Sequence, residues 1–281
     1  MAPTRHPGPV GQAKQLHDEI DDGTLARSRS EPPATIGAPG SAAPLQTTPV
    51  TAATGDCAFL NPRTSGTVRA PQAAFDRLRG NSGAAAVSTP QPKASQAWPY
   101  GAASAAIEQD ITIDGRAIHV IRPTDADAAG KNLPTTVQVA EALRAIPASQ
   151  RAHTNRVILS PNPHPDSTPT STTAGEAGAG EITLFPVNST QSQNDFDNRL
   201  THESGHNYQG TLWTSGTAVR EWQIAATADN RLPSPYAGAN AGDDFCEFGI
   251  LYNTARGTPC EASARQLYPN RWAKMVSYQS P

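Results

Sequence analysis

Hydrophobic periodicity starts late in this chain, and that limits how much of it can build a core. The first 100 residues hold 13 of the 26 prolines, in runs such as SRSEPPATIGAPGSAAPLQTTP, with no sustained period of 2 or 3.6. Such a stretch offers too little apolar surface to offset the entropy lost on ordering it. Residues 1–105 are therefore expected to be largely disordered. They read as a Pro/Ser/Ala-rich secretion or targeting region, or as a plain linker, with short helices near 11–20 and 72–79. Residues 106–281 carry the pattern of one folded domain.

Within that domain, DITIDGRAIHVI alternates on both sides of Asp114-Gly115, a two-residue hairpin signal. Thr135 or Thr136 then precedes VQVAEALRAI, an amphipathic helix that must stop before Pro147. RVILS (156–160) and EITLF (181–185) read as strands around a Pro/Ser/Thr/Gly-rich loop at 161–180. Helices follow from Ser192 to about Gln209, over 218–229, over 243–255, and over 260–278 with a break near Pro269. Strands first and helices after predict an α+β fold.

Charge and length narrow the function classes. The 25 acidic and 22 basic residues give a net charge of −3, no general reason to expect a nucleic acid or an anionic membrane as partner. Mean hydropathy is −0.50, and no stretch approaches the ~20 apolar residues of a membrane span. The opening residues lack the apolar run of a signal peptide. Three cysteines, Cys57, Cys246 and Cys260, are an odd and sparse set, so the expectation is a reduced chain without a disulfide.

Residues 202–206 carry the chemistry: His202-Glu203-Ser204-Gly205-His206, an HExxH on a predicted helix. Spacing i, i+4 puts both imidazoles one turn apart on one face, where they can grip one metal ion. Glu203 projects about 100° around the helix, suited to hold a water rather than the metal. The alternative is two solvated histidines on an exposed helix. Gly205 costs a helix about 1 kcal/mol relative to Ala, which suggests close packing against a neighbour. A metal bound by two histidines and a water needs one more protein ligand. Tyr236, Asp243, Asp244 and Glu247 cluster within SPYAGANAGDDFCEF. In a helix starting at Asp243, that residue and Glu247 share a face while Asp244 is rotated away. One carboxylate can then bind metal while the other orients a histidine. Without the HExxH, Asp243 and Asp244 would read as carboxylates favoured by a helix N-terminus. Cys246 reads as a small packed residue, His119 as an ordinary strand residue, and His153 and His164 as solvated.

The HExGH, followed about 30 residues on by Tyr-x6-Asp-x-Phe-x-Glu, resembles the catalytic domain of gluzincin-type zinc metallopeptidases. The pattern is similar to that of anthrax lethal factor and the proline-proline endopeptidases, and the front end is similar to that of type III secreted effector proteases. One departure is that Asp243 stands where those families have Glu, so its helix must sit closer to the metal. The resemblance implies a zincin-like metallopeptidase domain holding Zn2+ on His202, His206 and Asp243. It also implies Glu203 as general base, Tyr236 as oxyanion donor and Glu247 as the outer partner of a histidine. The implied function is a zinc-dependent endopeptidase cleaving a protein or peptide substrate, with EITLF as the edge on which substrate adds as a strand. The expected protein is a monomer, secreted by a non-classical route such as type III secretion into a host cell. Two other classes fit the same motif: a catalytically silent binding protein of this fold, and a zinc-dependent hydrolase of a non-peptide amide.

Overall fold

The computed structural model describes residues 52–279 and the backbone of one further strand, β1 (Asp18–Asp21). A short 3-10 turn (Gly55–Leu60) leads to α1 (Gln72–Gly80), β2 (Ala86–Val87), β3 (Gln91–Gln96), β4 (Ser104–Ile113) and β5 (Arg116–Pro123). Next come α2 (Asp125–Ala128), α3 (Thr136–Arg144), α4 (Ala148–Arg151), β6 (Arg156–Leu159), β7 (Ser171–Gly178) and β8 (Glu181–Leu184). The C-terminal part is helical: α5 (Gln193–Leu212), α6 (Gly216–Asp229), a 3-10 turn (Tyr236–Gly238), α7 (Ala241–Ala255), α8 (Glu261–Leu267) and α9 (Pro269–Gln279). The fold is mixed α+β.

The strands form one mixed sheet in the order β1-β7-β8-β6-β5-β4-β2, with β3 also paired to β4. Asp114 (φ 52°) and Gly115 (φ 77°) close the β4–β5 hairpin, the two positive φ angles that Asp-Gly accommodates. β5–β6 and β6–β8 are parallel, while β7 and β1 each add antiparallel. β8 is therefore interior and not the edge expected of EITLF. The strand beyond it is β7, inside the stretch read as a loop, with β1 on its far side. STTAGEAG lacks the alternation of large apolar residues that marks a strand, and it is extended because the Ala179-Gly180 turn folds it back onto β8.

Helix starts follow their capping signals. Thr135 and Ser192 each form a reciprocal capping box, with Gln138 and Asp195, at the starts of α3 and α5. Asn230, left-handed at φ 50°, ends α6, and Pro269 separates α8 from α9. No helix among the described residues is long and apolar enough to cross a membrane.

Two cores flank α5. One lies between the sheet and α3 and includes Ile118, Val120, Leu143, Val157, Ile182 and Leu200. The other is built by α6–α9 around Trp222, Phe245, Phe248, Tyr252, Tyr268 and Trp272. Leu60, Val68, Ala70 and Phe75 are buried in this second core, which corrects the boundary expected near residue 106. Each is a single anchor separated by polar and proline residues, so no period betrays it; the burial of this segment comes from packing against α5, α7 and α8. Asn198 fixes the segment further, accepting from the Ala70 N–H at 2.8 Å and donating to its carbonyl at 3.1 Å. The expected helix at 72–79 is α1. The one expected at 11–20 lies outside the described residues except for 18–20, which belong to a strand.

Cys57 and Cys260 form a disulfide across 203 residues, contrary to the reduced chain expected. So long a separation leaves no spacing signal, and Cys246 accounts for the odd count as a separate buried thiol.

Candidate metal centre

Thirteen consecutive residues of α5, Phe196–Tyr208, are buried, although most are polar. A helix this polar survives burial only if its side chains find partners. Asn207 accepts from the Gly180 N–H and donates to the Glu181 carbonyl, while Gln150 donates to the Thr201 carbonyl. Gly205 lets α7 approach: a Cβ there would fall 2.9 Å from Cys246 Sγ and 3.3 Å from its Cα. Close packing of α5 on α7 is what brings the two histidines to Asp243.

Three donor atoms converge. The Nε2 atoms of His202 and His206 are 3.2 Å apart, and Asp243 Oδ1 lies 3.7 Å from the first and 3.5 Å from the second. Ligand atoms about 2.0–2.2 Å from a tetrahedral ion sit about 3.3–3.6 Å from one another, so this triangle has the required size. All three residues are buried, and among the described residues Asp243 Oδ1 accepts no hydrogen bond, which leaves the oxygen available to a cation. Burial pushes the Asp243 carboxyl up, but the adjacent imidazoles of His202 and His206 outweigh it and hold the group below its ordinary range. The group is thus kept as a carboxylate, the form that could bind a metal ion.

Outer contacts orient each of the three side chains. His202 Nδ1 lies 3.0 Å from Glu247 Oε1, and His206 Nδ1 lies 3.3 Å from Gln209 Oε1. An Nδ1–H donated to each acceptor leaves both Nε2 lone pairs for a metal. Glu247 is itself held, accepting from the Val68 N–H at 2.5 Å and from Ser234 Oγ at 2.6 Å. Asn240 caps α7 through the N–H groups of Gly242 and Asp243, and its amide donates to Asp243 Oδ2 at 2.5 Å. Asp244 faces away, into the second core, where it accepts from Trp222 Nε1 at 2.7 Å and from Arg271 at 2.9 and 2.6 Å. Burial raises the Asp244 carboxyl, with Arg271 opposing.

The Cys246 thiol is a competing donor, because its Sγ and one nitrogen from each of His202 and His206 lie within 4.8 Å of one another. That buried trio can also hold a metal ion. The carboxylate oxygen makes the tighter triangle.

Glu203 is buried, and its carboxylate lies against the backbone of β7. A Cβ on Gly175 would come within 2.8 Å of Glu203 Cδ and closer still to Oε1. Only glycine admits the carboxylate there. The Tyr236 ring sits 5.6 Å from that of His202, carried by the short 3-10 turn before α7. Of the other histidines, His119 pairs with Asp110 at 2.9 Å on β4, and His153 is half-buried. His164 is buried against Tyr100 and Phe185 rather than solvated.

No protein-family model, curated protein or solved structure matches this chain. Gly175, Ser234, Gln209 and the Val68 N–H escaped the sequence reading, since each acts through a contact distant in sequence or through backbone. Asn240 carried a readable signal, an N-cap residue immediately before the acidic start of a helix.

Proposed function

We propose that the chain is a zinc-dependent endopeptidase with a zincin-like catalytic domain, related in its motif to the lethal factor and proline-proline endopeptidase group. The observation that carries this reading is the convergence of His202 Nε2, His206 Nε2 and Asp243 Oδ1 beside a buried Glu203 carboxylate lying against strand β7. Bound zinc would supply Lewis acidity and a water nucleophilic near neutral pH. Glu203 takes the proton from the attacking water and returns it to the leaving amine, a contribution typically of about 10²–10⁴-fold. Tyr236 donates its phenolic hydrogen to the oxyanion that develops on the scissile carbonyl, typically worth about 3 kcal/mol. Glu247 and Gln209 fix the imidazole tautomers, and Asn240 holds the carboxylate of Asp243 in place.

The Cys57–Cys260 bridge supports a secreted protein working in an oxidising compartment, and it disfavours action in the cytosol of another cell. The expected partner is a protein or peptide substrate met by a monomer.

Metal analysis should give about one zinc per chain, and a chelator should abolish hydrolysis of protein substrates until zinc is restored. Glu203→Gln should retain fold and zinc yet lose activity by about 10²-fold or more, because the amide cannot accept a proton. New N-termini in a secreted-protein mixture treated with the wild type, and absent with Glu203→Gln, would identify the cleaved bonds. Activity in Glu203→Gln within about tenfold of wild type would overturn the assignment of the base.

A further inference from the structure

We infer that the cavity between α6 and the Tyr236 turn is a substrate subsite that takes an acidic side chain, and that Arg231 is the residue that selects it. This rests on the peptidase reading above and adds a substrate class to it. The cavity has a volume of about 630 Å³, and its walls come from α6, from the 3-10 turn through Ala237 and Gly238, from the start of α7 and from Arg271 of α9. Asn240 belongs both to this wall and to the metal centre, because its amide donates to Asp243 Oδ2 at 2.5 Å. One residue spans about 3.3 Å of extended chain, so a side chain seated here comes from within about three positions of the bond being cleaved.

Charge selects the occupant. The charged side chains in the wall are Arg231, Asp244 and Arg271. Asp244 and Arg271 neutralise one another through their contacts at 2.9 and 2.6 Å. Asp229, behind the wall, is committed to the N–H groups of Asn270 and Arg271, at 2.8 and 3.1 Å, and to the Arg271 guanidinium. Arg231 follows Asn230, whose left-handed backbone ends α6, turns the chain off the helix axis and so brings Arg231 to the wall. Among the described residues no carboxylate pairs with Arg231, and its buried Nε finds no acceptor. A buried cationic N–H left unmatched is costly, and a planar guanidinium meets a carboxylate through two parallel hydrogen bonds. An Asp or Glu side chain of the substrate supplies both the opposite charge and the acceptors.

The test gives the full zinc-loaded chain a peptide library cut from a cell lysate with chymotrypsin, and mass spectrometry maps the cleaved bonds. Asp and Glu should be enriched at one fixed position within about three residues of those bonds. Arg231→Gln should erase the enrichment, and Arg231→Glu should replace it with Lys and Arg at the same position, both with zinc content and unfolding temperature near wild type. Thr227→Glu leaves Arg231 in place but offers it a carboxylate from the same wall, so it should erase the preference as well, even if the Arg231 variants fold poorly. Two synthetic peptides that differ only by Glu or Gln at that position should differ about 10–100-fold in kcat/KM with wild type, and by less than about twofold with Arg231→Gln. Cleavage by wild type without an acidic preference would overturn the subsite while leaving the peptidase reading in place, as would a preference that survives the substitutions. A wild-type chain with zinc bound that cleaves no peptide would overturn the peptidase reading, and the substrate assignment with it.

Discussion

Asp243 and Cys246 both approach the two imidazoles, and their surroundings separate them. Asp243 Oδ1 is buried and accepts no hydrogen bond among the described residues, whereas Cys246 is the floor on which Gly205 rests. Asp243→Ala should therefore lose most of the zinc affinity, and Cys246→Ala should keep it. Glu247→Ala removes only the support of His202, for which about 10–100-fold in affinity or activity is typical. Competition with a chromophoric chelator ranks the variants, and retention of zinc by Asp243→Ala but not Cys246→Ala would reassign the third ligand. Asp244→Ala belongs to a different category. It strands the buried Arg271 guanidinium, which also pairs with Asp229 at 3.3 Å, so it should cost about 3–5 kcal/mol of stability in urea unfolding. Gly175→Ala should displace the Glu203 carboxylate and lower kcat strongly while zinc content and unfolding temperature stay near wild type; unimpaired turnover would show that the carboxylate has another place to go. The two histidines and Glu203 were legible because one helical turn fixes their relation. Gly175 was not, because its partner is 28 residues away and the contact exists only once β7 lies on α5.

Elements were legible where local chemistry marks their ends, and illegible where pairing alone defines them. Capping residues at Thr135, Ser192 and Asn240 and the Asp-Gly turn announce α3, α5, α7 and the β4–β5 hairpin. β7 announces nothing, being held by its neighbours. The segment from residue 53 to α1 is the same case among helices: Leu60, Val68 and Phe75 fill the core, yet no stripe connects them. Arg79 pairs with the buried Asp197 of α5, and Arg77 donates to the carbonyls of Asn253 and Thr254 at the end of α7. A chain beginning at residue 106 would leave these acceptors and the apolar surface of α7 exposed, and would take the Val68 N–H from Glu247. It should lack a cooperative unfolding transition, and Phe75→Ala in the full chain should cost about 3–5 kcal/mol. A cooperative transition in the truncated chain, with zinc bound at wild-type affinity, would show that the segment only decorates the domain.

At the scale of the whole molecule, the disulfide ties the turn at Gly55–Leu60 to the start of α8 and encloses β2–β8, α5 and α7 in one covalent loop. A cross-link over 203 residues restricts the unfolded chain far more than the folded one, so most of its effect is expected on the denatured side. Removing a native bridge typically costs about 2–5 kcal/mol, which for a domain of this size corresponds to a fall in Tm on the order of 5–15 °C. Cys57→Ser with Cys260→Ser should show that fall under non-reducing conditions, and wild type with a reductant should approach it. The wild-type chain, denatured without reductant, should titrate with one thiol, that of Cys246. The double variant should remain fully able to bind zinc below its transition, because neither cysteine touches the metal centre. Three titratable thiols in freshly isolated protein, with superposable unfolding curves for wild type and variant, would return the chain to a reducing compartment and remove the support for extracellular action.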